Sequence, residues 1–377
     1  MNRAVAMLLA LAMLSACASR SVREPPAPLP ELKPELRVSE LWTVDVGASA
    51  GTALRITPAL EDGAVYMAAA EGRVSAHAAD SGKELWEVDL EARISGATGV
   101  GEGLVLVGSR QGEVIALQRE NGNRAWSARV SSEVLAAPAA AAGIVVVQTV
   151  DGKVFGLAAA DGKRAWVYER TEPALTLRGT ATPAIVNDVV LTGFASGRIA
   201  ALRLQDGKLL WEVPVTQPRG RNEIERLVDV DASPLVLGET IYAASYQGKL
   251  VALNPRGGAV AWSRDVSTYR ALATDGRNIY VTDDRGHVLA FDARSGASVW
   301  KQDQLRGREP SAPVVQGDYL LVGDFEGYVH WLAREDGRLL ARHRVDGAVR
   351  APAVATGDTI FVAGLSGTLS ALRLLSN

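Results

Sequence analysis

The side chains best suited to catalysis or metal binding are few in this sequence, and they form no recognisable site. The 377 residues include four histidines and a single cysteine, Cys17. The histidines, which are His77, His287, His330 and His343, are far apart and have neither the spacing of metal ligands nor a nucleophile motif beside them. Zinc, iron–sulfur and thiol chemistry are excluded for a folded body without cysteine.

Two acidic pairs, Asp283-Asp284 and Asp229-x-Asp231, are the remaining candidates for metal binding. Such pairs usually lie in solvent or cap turns, and neither forms a convincing calcium site. We therefore predict that the protein is not an enzyme and that it holds no metal and no cofactor. The net charge of −3 gives no indication of a nucleic-acid partner.

Cys17 is assigned a different chemistry by the residues that precede it. Residues 4–14 are an uninterrupted apolar run, which is too short to span a bilayer but has the length of a signal-peptide core. Leu14-Ser15-Ala16-Cys17 then resembles a bacterial lipobox, in which cleavage falls before the cysteine and its thiol is lipidated. We predict a signal peptide over residues 1–16 and a lipid anchor at Cys17. In the bacterial sorting pattern, Asp directly after the lipidated cysteine retains a lipoprotein at the inner membrane. Ala18 follows Cys17 here, so we predict that the protein is anchored at the periplasmic face of the outer membrane.

Residues 17–38 have the composition of a spacer. Five prolines fall between residues 25 and 34, with charged residues among them. Such a segment cannot pair in a sheet and favours an extended conformation. We predict that it tethers the lipid to the folded body.

An internal repeat covers the rest of the chain. The pattern Gly-x-apolar-x-Ala-Leu, or a close variant, begins at Gly72, Gly112, Gly152, Gly197, Gly248, Gly286, Gly327 and Gly367. Each unit contains four apolar runs separated by turns with Gly, Asp, Asn or Ser, which is typical of a propeller blade. We predict that residues 39–377 form an all-β fold, an eight-bladed β-propeller with four antiparallel strands per blade.

Tryptophan recurs near the end of the units and is interpreted as a lock between neighbouring blades. The positions are Trp86, Trp126, Trp166, Trp211, Trp262 and Trp300. The eighth unit lacks its tryptophan strand, whereas the strand around Trp42 is unused, so we predict that this N-terminal strand completes the last blade and closes the ring. The seventh unit departs from the pattern, with Ala341 in place of tryptophan and Trp331 earlier in the blade.

The two longest intervals between repeat glycines are 152 to 197 and 197 to 248. They predict long loops between blades three and four and between blades four and five. Such loops are neighbours on the ring, and loops on a rigid scaffold commonly carry binding residues.

The repeat resembles the tryptophan-docked repeat of pyrroloquinoline quinone enzymes. With the lipobox, residues 17–377 are similar to the BamB family, lipoproteins of the outer-membrane β-barrel assembly machine. The similarity is sharpest at Leu175-Thr176-Leu177-Arg178-Gly179 and at residues 222–231, which Pro234 follows. It implies binding to the periplasmic domains of BamA. Our own further hypothesis is that the disc presents strand edges or a groove to unfolded outer-membrane proteins. The implied contact residues are Leu175, Leu177, Arg178, Asp229 and Asp231.

The roles of these residues are not equally clear from the sequence. The two leucines are interpreted as direct contacts, because an apolar side chain exposed on a loop is more easily understood as part of a binding surface than as part of the fold. For Asp229 and Asp231, contact with a partner and bracing of the loops through Arg178 or Arg226 both remain open.

Two other functions are compatible with the same body. A quinone-dependent dehydrogenase shares the blade pattern, but such enzymes are usually longer and use calcium, a catalytic aspartate and often a disulfide that this chain cannot form. The second is a structural or cell-wall-binding propeller lipoprotein, and only the resemblance of the loops argues against it.

Overall fold

The protein is an eight-bladed β-propeller, as the repeat predicts. A computed structural model describes residues 25–47 and 57–375. In these residues 32 strands form eight sheets, each of four strands, with every strand pair antiparallel. No helix long and apolar enough to cross a membrane occurs in the described ranges.

The strands follow the blades in chain order. Blade one contains β2 (Ala59–Glu61), β3 (Ala64–Ala68), β4 (Arg73–Ala78) and β5 (Glu84–Asp89), and blade two β6 (Gly99–Gly101), β7 (Leu104–Gly108), β8 (Glu113–Gln118) and β9 (Arg124–Arg129). Blade three contains β10 (Ala139–Ala141), β11 (Ile144–Gln148), β12 (Lys153–Ala158) and β13 (Arg164–Glu169), and blade four β14 (Ala184–Val186), β15 (Val189–Phe194), β16 (Arg198–Arg203) and β17 (Leu209–Pro214). Blade five contains β18 (Leu235–Leu237), β19 (Thr240–Ala244), β20 (Lys249–Leu253) and β21 (Val260–Asp265), and blade six β22 (Ala273–Thr274), β23 (Asn278–Thr282), β24 (Val288–Asp292) and β25 (Ser298–Gln302). Blade seven contains β26 (Val314–Gln316), β27 (Tyr319–Gly323), β28 (Tyr328–Ala333) and β29 (Leu339–Arg344), and blade eight β30 (Val354–Thr356), β31 (Thr359–Ala363), β32 (Thr368–Leu375) and β1 (Arg37–Asp45).

The burial of each strand follows from its place in the blade. First strands of neighbouring blades contact each other and therefore surround the axis. The second and third strands are buried on both faces, because each sheet packs between two others, and they are correspondingly continuous apolar runs such as Ile144–Gln148. The fourth strands form the outer rim and bury mainly one face, as in Arg164–Glu169, where Trp166 is buried, Ala165 is exposed and Val167 is half-buried.

The ring is closed by the N-terminal strand, which confirms the prediction made from Trp42. Strand β1 pairs with β32 from Arg37 opposite Leu375 to Asp45 opposite Thr368, with one β-bulge between Glu40 and Trp42. The fourth strand of blade eight thus comes from the beginning of the propeller, and no sheet is left incomplete at the seam.

Seven tryptophans of the fourth strands make the same contact with the next blade. Each lies opposite an Ala or Gly of the third strand in its own sheet. The indole N–H groups of Trp42, Trp86, Trp126, Trp166, Trp211, Trp262 and Trp300 donate to the carbonyl oxygens of Ala79, Arg119, Ala159, Leu204, Pro255, Ala293 and Arg334, at 2.7 to 3.2 Å. The ring also covers a turn glycine of that blade: at Gly162, with φ +72°, an added Cβ would lie 2.5 Å from the Trp126 ring.

Blade seven inverts this arrangement, and the reason lies in the ring closure. Trp331 and Ala341 are opposite each other in β28 and β29, so the large and small residues have exchanged strands. A tryptophan in β29 would need the turn between the third and fourth strands of blade eight, but β32 and β1 are not joined by a turn in the described chain. Trp331 is instead fully buried, and its N–H lies 3.3 Å from Gln316 Oε1.

The described part of the proline-rich segment differs from the predicted tether. Residues 25–36 lie along blades six and seven: Ala27 N–H donates to Arg306 O at 2.9 Å, Arg342 donates to Pro30 O at 3.0 Å, and Leu32 packs on the core between these blades. The fold therefore begins before residue 39, because a segment without strand pairing still buries apolar side chains and gains hydrogen bonds from the blades.

Candidate functional site

The two long loops predicted from the glycine intervals lie side by side at blade four. Residues 170–183 connect β13 to β14, and residues 215–234 connect β17 to β18. Two hydrogen bonds join them: Leu177 N–H donates to Asp229 Oδ2 at 2.6 Å, and Thr182 N–H donates to Ser233 Oγ at 3.2 Å. The structure therefore brings together the residues that the family resemblance singles out from two separate loops.

Leu175 and Arg178 are the exposed members of the first loop. Leu175 is 42% exposed, whereas Leu177 is half-buried and is held by its backbone. The Arg178 side chain is 43% exposed and pairs with Glu133 at 2.7 Å. The exposed apolar pair expected from Leu175 and Leu177 is thus reduced to Leu175 with a partly covered Leu177.

Asp229 is buried, with only 1% of its surface exposed. Its Oδ2 accepts the Leu177 N–H, and its Oδ1 has no hydrogen-bond partner in the described structure. Burial raises the pKa of Asp229 to about 6, against the opposing effect of backbone hydrogen bonds from Leu177 and its own segment. The carboxylate therefore supports the first loop from below and is not on its surface.

Asp231 occupies a different position from Asp229. It is half-buried, and its Oδ2 lies so close to Gly179 that a Cβ there would be 2.2 Å away. Neither aspartate forms an ion pair with Arg178 or Arg226 in the described residues, since Arg178 pairs with Glu133 and Arg226 donates to Gly220 O. The brace between the loops is thus made by hydrogen bonds to backbone.

Glu172, at the start of the first loop, is a half-buried carboxylate whose pKa is also raised, and sequence reasoning missed it. Its Oε2 accepts the Ser196 N–H at 2.9 Å, and its side chain packs against Gly152. Burial raises the pKa of Glu172 to about 7, and the nearby charge of Asp229 acts in the same direction. No local pattern in the sequence indicates this burial, because it results from loop 170–183 folding over blade three.

A cavity of about 200 Å³ lies beside these loops at the mouth of the central channel. We call it the mouth cavity. All eight segments that connect one blade to the next contribute to its lining. Its charged residues are Arg178, Asp231, Arg270 and Arg350, of which Arg350 pairs with Glu309. The two arginines Arg270 and Arg350 were not identified from the sequence, because neither belongs to a motif that indicates a binding site.

The histidines and acidic residues considered at the start are engaged in local structure. His77 is buried between Ser75 Oγ and Gly82 O, at 3.0 and 3.2 Å. Asp283 caps the turn at His287, accepting its N–H at 2.8 Å and contacting its ring Nδ1 at 2.7 Å.

Another buried acid, Asp324, contrasts with Asp229. It contacts Arg308 at 2.8 Å and His330 at 3.0 Å. Burial alone would raise the pKa of Asp324, but these partners hold that pKa below its ordinary value. No group of three or more potential metal ligands occurs among the described residues. Cys17 and residues 1–16 lie outside those residues.

The fold and the paired loops define a propeller of the PQQ-type repeat whose distinctive features are loops rather than a set of catalytic groups. A family model described as outer membrane protein assembly factor BamB matches residues 70–302 and 287–375. The chain belongs to this family. An outer membrane protein assembly factor BamB from Pseudomonas aeruginosa is 45% identical over 98% of both chains. The crystal structure of BamB from Moraxella catarrhalis, 27% identical, covers 89% of this chain and all of its own, with a TM-score of 0.83.

The same fold also occurs in quinoproteins. A quinohemoprotein alcohol dehydrogenase from Comamonas testosteroni aligns with 89% of this chain and 76% of its own, with a TM-score of 0.71 but only 13% identity. At that identity the likeness shows the fold alone.

Proposed function

We propose that the protein is a scaffold subunit of the machinery that assembles outer-membrane β-barrel proteins, and that it binds BamA through the two loops at blade four. Membership of the BamB family supports the assembly role. The observation that carries the binding surface is the pair of exposed residues, Leu175 and Arg178, on a loop whose backbone is held by Asp229.

The brace explains how a loop can bind without a large entropic cost. Loop 170–183 is fixed at Leu177 by Asp229, at Thr182 by Ser233 and at its start by Glu172. Leu175 is therefore presented in one conformation before the partner arrives, and rigid presentation of an apolar anchor improves affinity. On this proposal Asp229 acts through the loop, and Leu175 and Arg178 touch the partner.

The proposal includes a lipid anchor at Cys17 that holds the propeller at the periplasmic face of the outer membrane. Residues 25–36 lie on blades six and seven, so only the few residues from 17 to 24 would separate the lipid from those blades. Anchoring would thus bring one side of the disc close to the membrane, while blade four lies well around the ring.

A binding assay with the purified periplasmic domains of BamA tests the surface. Arg178→Glu should lower affinity by at least about 30-fold, which is the effect of removing a hot spot of about 2 kcal/mol. Arg203→Glu is the matched control, since Arg203 is also 43% exposed and also pairs with one acid, Asp206. Leu175→Ser should weaken binding similarly, with Leu210→Ser, 43% exposed on β17, as its control.

The outcomes separate contact from bracing. A folded Arg178→Glu variant that no longer binds supports the proposed surface. Normal binding by folded variants at Leu175 and Arg178 would refute it, and loss of fold would assign Arg178 to bracing instead.

We further propose that the protein is not an enzyme, in contrast to the quinoproteins that share its fold. Asp283 and Asp324 are occupied by histidine or arginine contacts in the described structure. Incubation with pyrroloquinoline quinone and calcium should give neither bound-cofactor absorbance nor dye reduction. Either signal would overturn this part of the proposal.

Unfolded outer-membrane proteins are the second partner we propose. Each fourth strand has a strand partner on one side only, so the rim offers open strand edges, except at β29, where Glu35 N–H donates to Leu340 O. Strand β17 carries the exposed Leu209 and Leu210. Strand addition to such an edge is a common mode of peptide binding. A photo-crosslinker at Leu210 should label an unfolded barrel protein in transit, and labelling that never reaches the rim would contradict this.

A further inference from the structure

The mouth cavity has the composition of an anion site. Three arginines and one aspartate line it, together with hydroxyl groups that include Thr180 and Ser233. At about 200 Å³ its size suits the end of a side chain or a small molecule rather than a large cofactor. Two of the arginines have a glutamate partner, Arg178 with Glu133 and Arg350 with Glu309.

Arg270 is the exception among these arginines. It is only 7% exposed, and its guanidinium donates to the backbone carbonyl of Asp283 at 3.3 Å and lies 4.5 Å from the centre of the Tyr269 ring. No carboxylate within the described ranges forms an ion pair with it. The nearest acidic groups are otherwise engaged, Asp283 with His287 at 2.7 Å and Asp284 with Ser267 at 2.6 Å.

A buried guanidinium without a carboxylate is costly, because it loses hydration that a carbonyl and a ring restore only in part. Burial accordingly lowers the pKa of Arg270. Thr180 also lines this cavity, and its hydroxyl oxygen is buried and has no hydrogen-bond partner in the described structure. An anionic ligand in the cavity would supply the negative partner that Arg270 lacks.

We propose that the mouth cavity is a carboxylate-binding site in which Arg270 binds the carboxylate and Thr180 donates a hydrogen bond to it. A guanidinium presents two parallel N–H groups that match the two oxygens of a carboxylate, which favours this ligand over a point-like anion. The carboxylate belongs either to an acidic side chain of a peptide or to a small free acid. Arg178 lines both this cavity and the proposed surface for BamA, but the carboxylate site does not rest on binding to BamA, because its test uses this chain alone.

Thermal unfolding at constant ionic strength tests the site. The probes are the peptide acetyl-Gly-Ser-Glu-Ser-Gly-amide, its glutamine counterpart, and glutarate. Because a ligand that binds the folded state alone raises its stability, the glutamate peptide or glutarate should raise the melting temperature of the wild-type chain, and the glutamine peptide should not. Stabilisation by the peptide alone identifies an acidic segment, and stabilisation by glutarate alone identifies a small free acid.

Arg270→Met should abolish this stabilisation, while Arg256→Met, at an exposed turn, should retain it. Arg270→Met without ligand should melt no lower than the wild-type protein, since it removes a buried charge, whereas a structural arginine would give the opposite result. If Arg270→Met does not fold, Thr180→Val provides the second variant and should weaken the carboxylate effect several-fold. No effect of either carboxylate on the wild-type chain, or an undiminished effect in the folded variants, would overturn the proposal.

Discussion

The outer strands and the segments that connect the blades differ in the kinds of side chain that they bury. On the rim, one contact is repeated seven times, with a tryptophan over a turn glycine and its N–H on a carbonyl of the next blade. In the segments that connect the blades, the repeated contact is a backbone hydrogen bond, such as Val150 N–H to Glu133 O and Tyr246 N–H to Asp229 O. The buried side chains there differ from blade to blade and include charged groups, as at Asp229 and Arg270. The rim contacts stabilise the ring, whereas buried charges at the mouth oppose stability unless a partner or ligand offsets them.

The largest effect is expected on the rim. Trp166→Ala should lower the free energy of unfolding by about 3–5 kcal/mol, because it empties a buried site and removes the hydrogen bond to Leu204. Denaturant unfolding measures the loss. The exposed neighbour Ala165→Ser is the control and should change little. A similarly small change for Trp166→Ala would show that the blades are held together by other contacts.

The second prediction concerns the buried acid under the first loop. The pKa of Asp229 is raised to about 6 from 3.8, so the folded protein binds this proton more tightly than the unfolded chain. The stabilisation by the proton is complete below pH 3.8 and is lost as the pH rises through about 6. The difference amounts to about 3 kcal/mol at most.

Asp229→Asn should therefore reduce the loss of unfolding free energy between pH 4 and pH 7 by about 2–3 kcal/mol. Urea unfolding at the two pH values measures it, with the exposed Asp188→Asn as a control that keeps the full loss. Glu172 contributes in the same direction and remains in both variants. An unchanged pH dependence in Asp229→Asn would mean that this carboxylate is hydrated.

The third prediction tests the inverted pair of blade seven. Trp331→Ala and Ala341→Trp should each destabilise, the first by a cavity and the second by overpacking. In the double variant the total volume is restored, so the two effects should couple favourably by about 1–2 kcal/mol. The same exchange at Ala116 and Trp126 should give no such recovery, because it also removes the bond from Trp126 to Ala159. Equal coupling in both blades would mean that ring closure is not the cause of the inversion.

The repeat made most of the fold predictable, because each blade is built by local turns and strand pairs. Gly72 and its equivalents mark the blades, and the unused strand at Trp42 identifies the closure. The sequence also locates the loop with Leu175, but it indicates neither the partial burial of Glu172 nor the burial of Arg270. The burial of these side chains depends on how segments of different blades pack around the axis, and no spacing within one segment indicates that packing.

The smallest effect is expected at the loop surface. Arg178 and Glu133 form an ion pair between a 43% exposed and a 19% exposed side chain, and solvent screening limits the value of such pairs to below about 1 kcal/mol. Arg178→Gln should therefore leave the unfolding midpoint almost unchanged, in contrast to Trp166→Ala, while it still weakens binding to BamA. A fall in stability comparable with that of Trp166→Ala would mean that Arg178 stabilises the fold, as the rim tryptophans do, and is not simply part of the partner surface. Measuring binding and stability on the same variant therefore separates contact with the partner from a role in the fold.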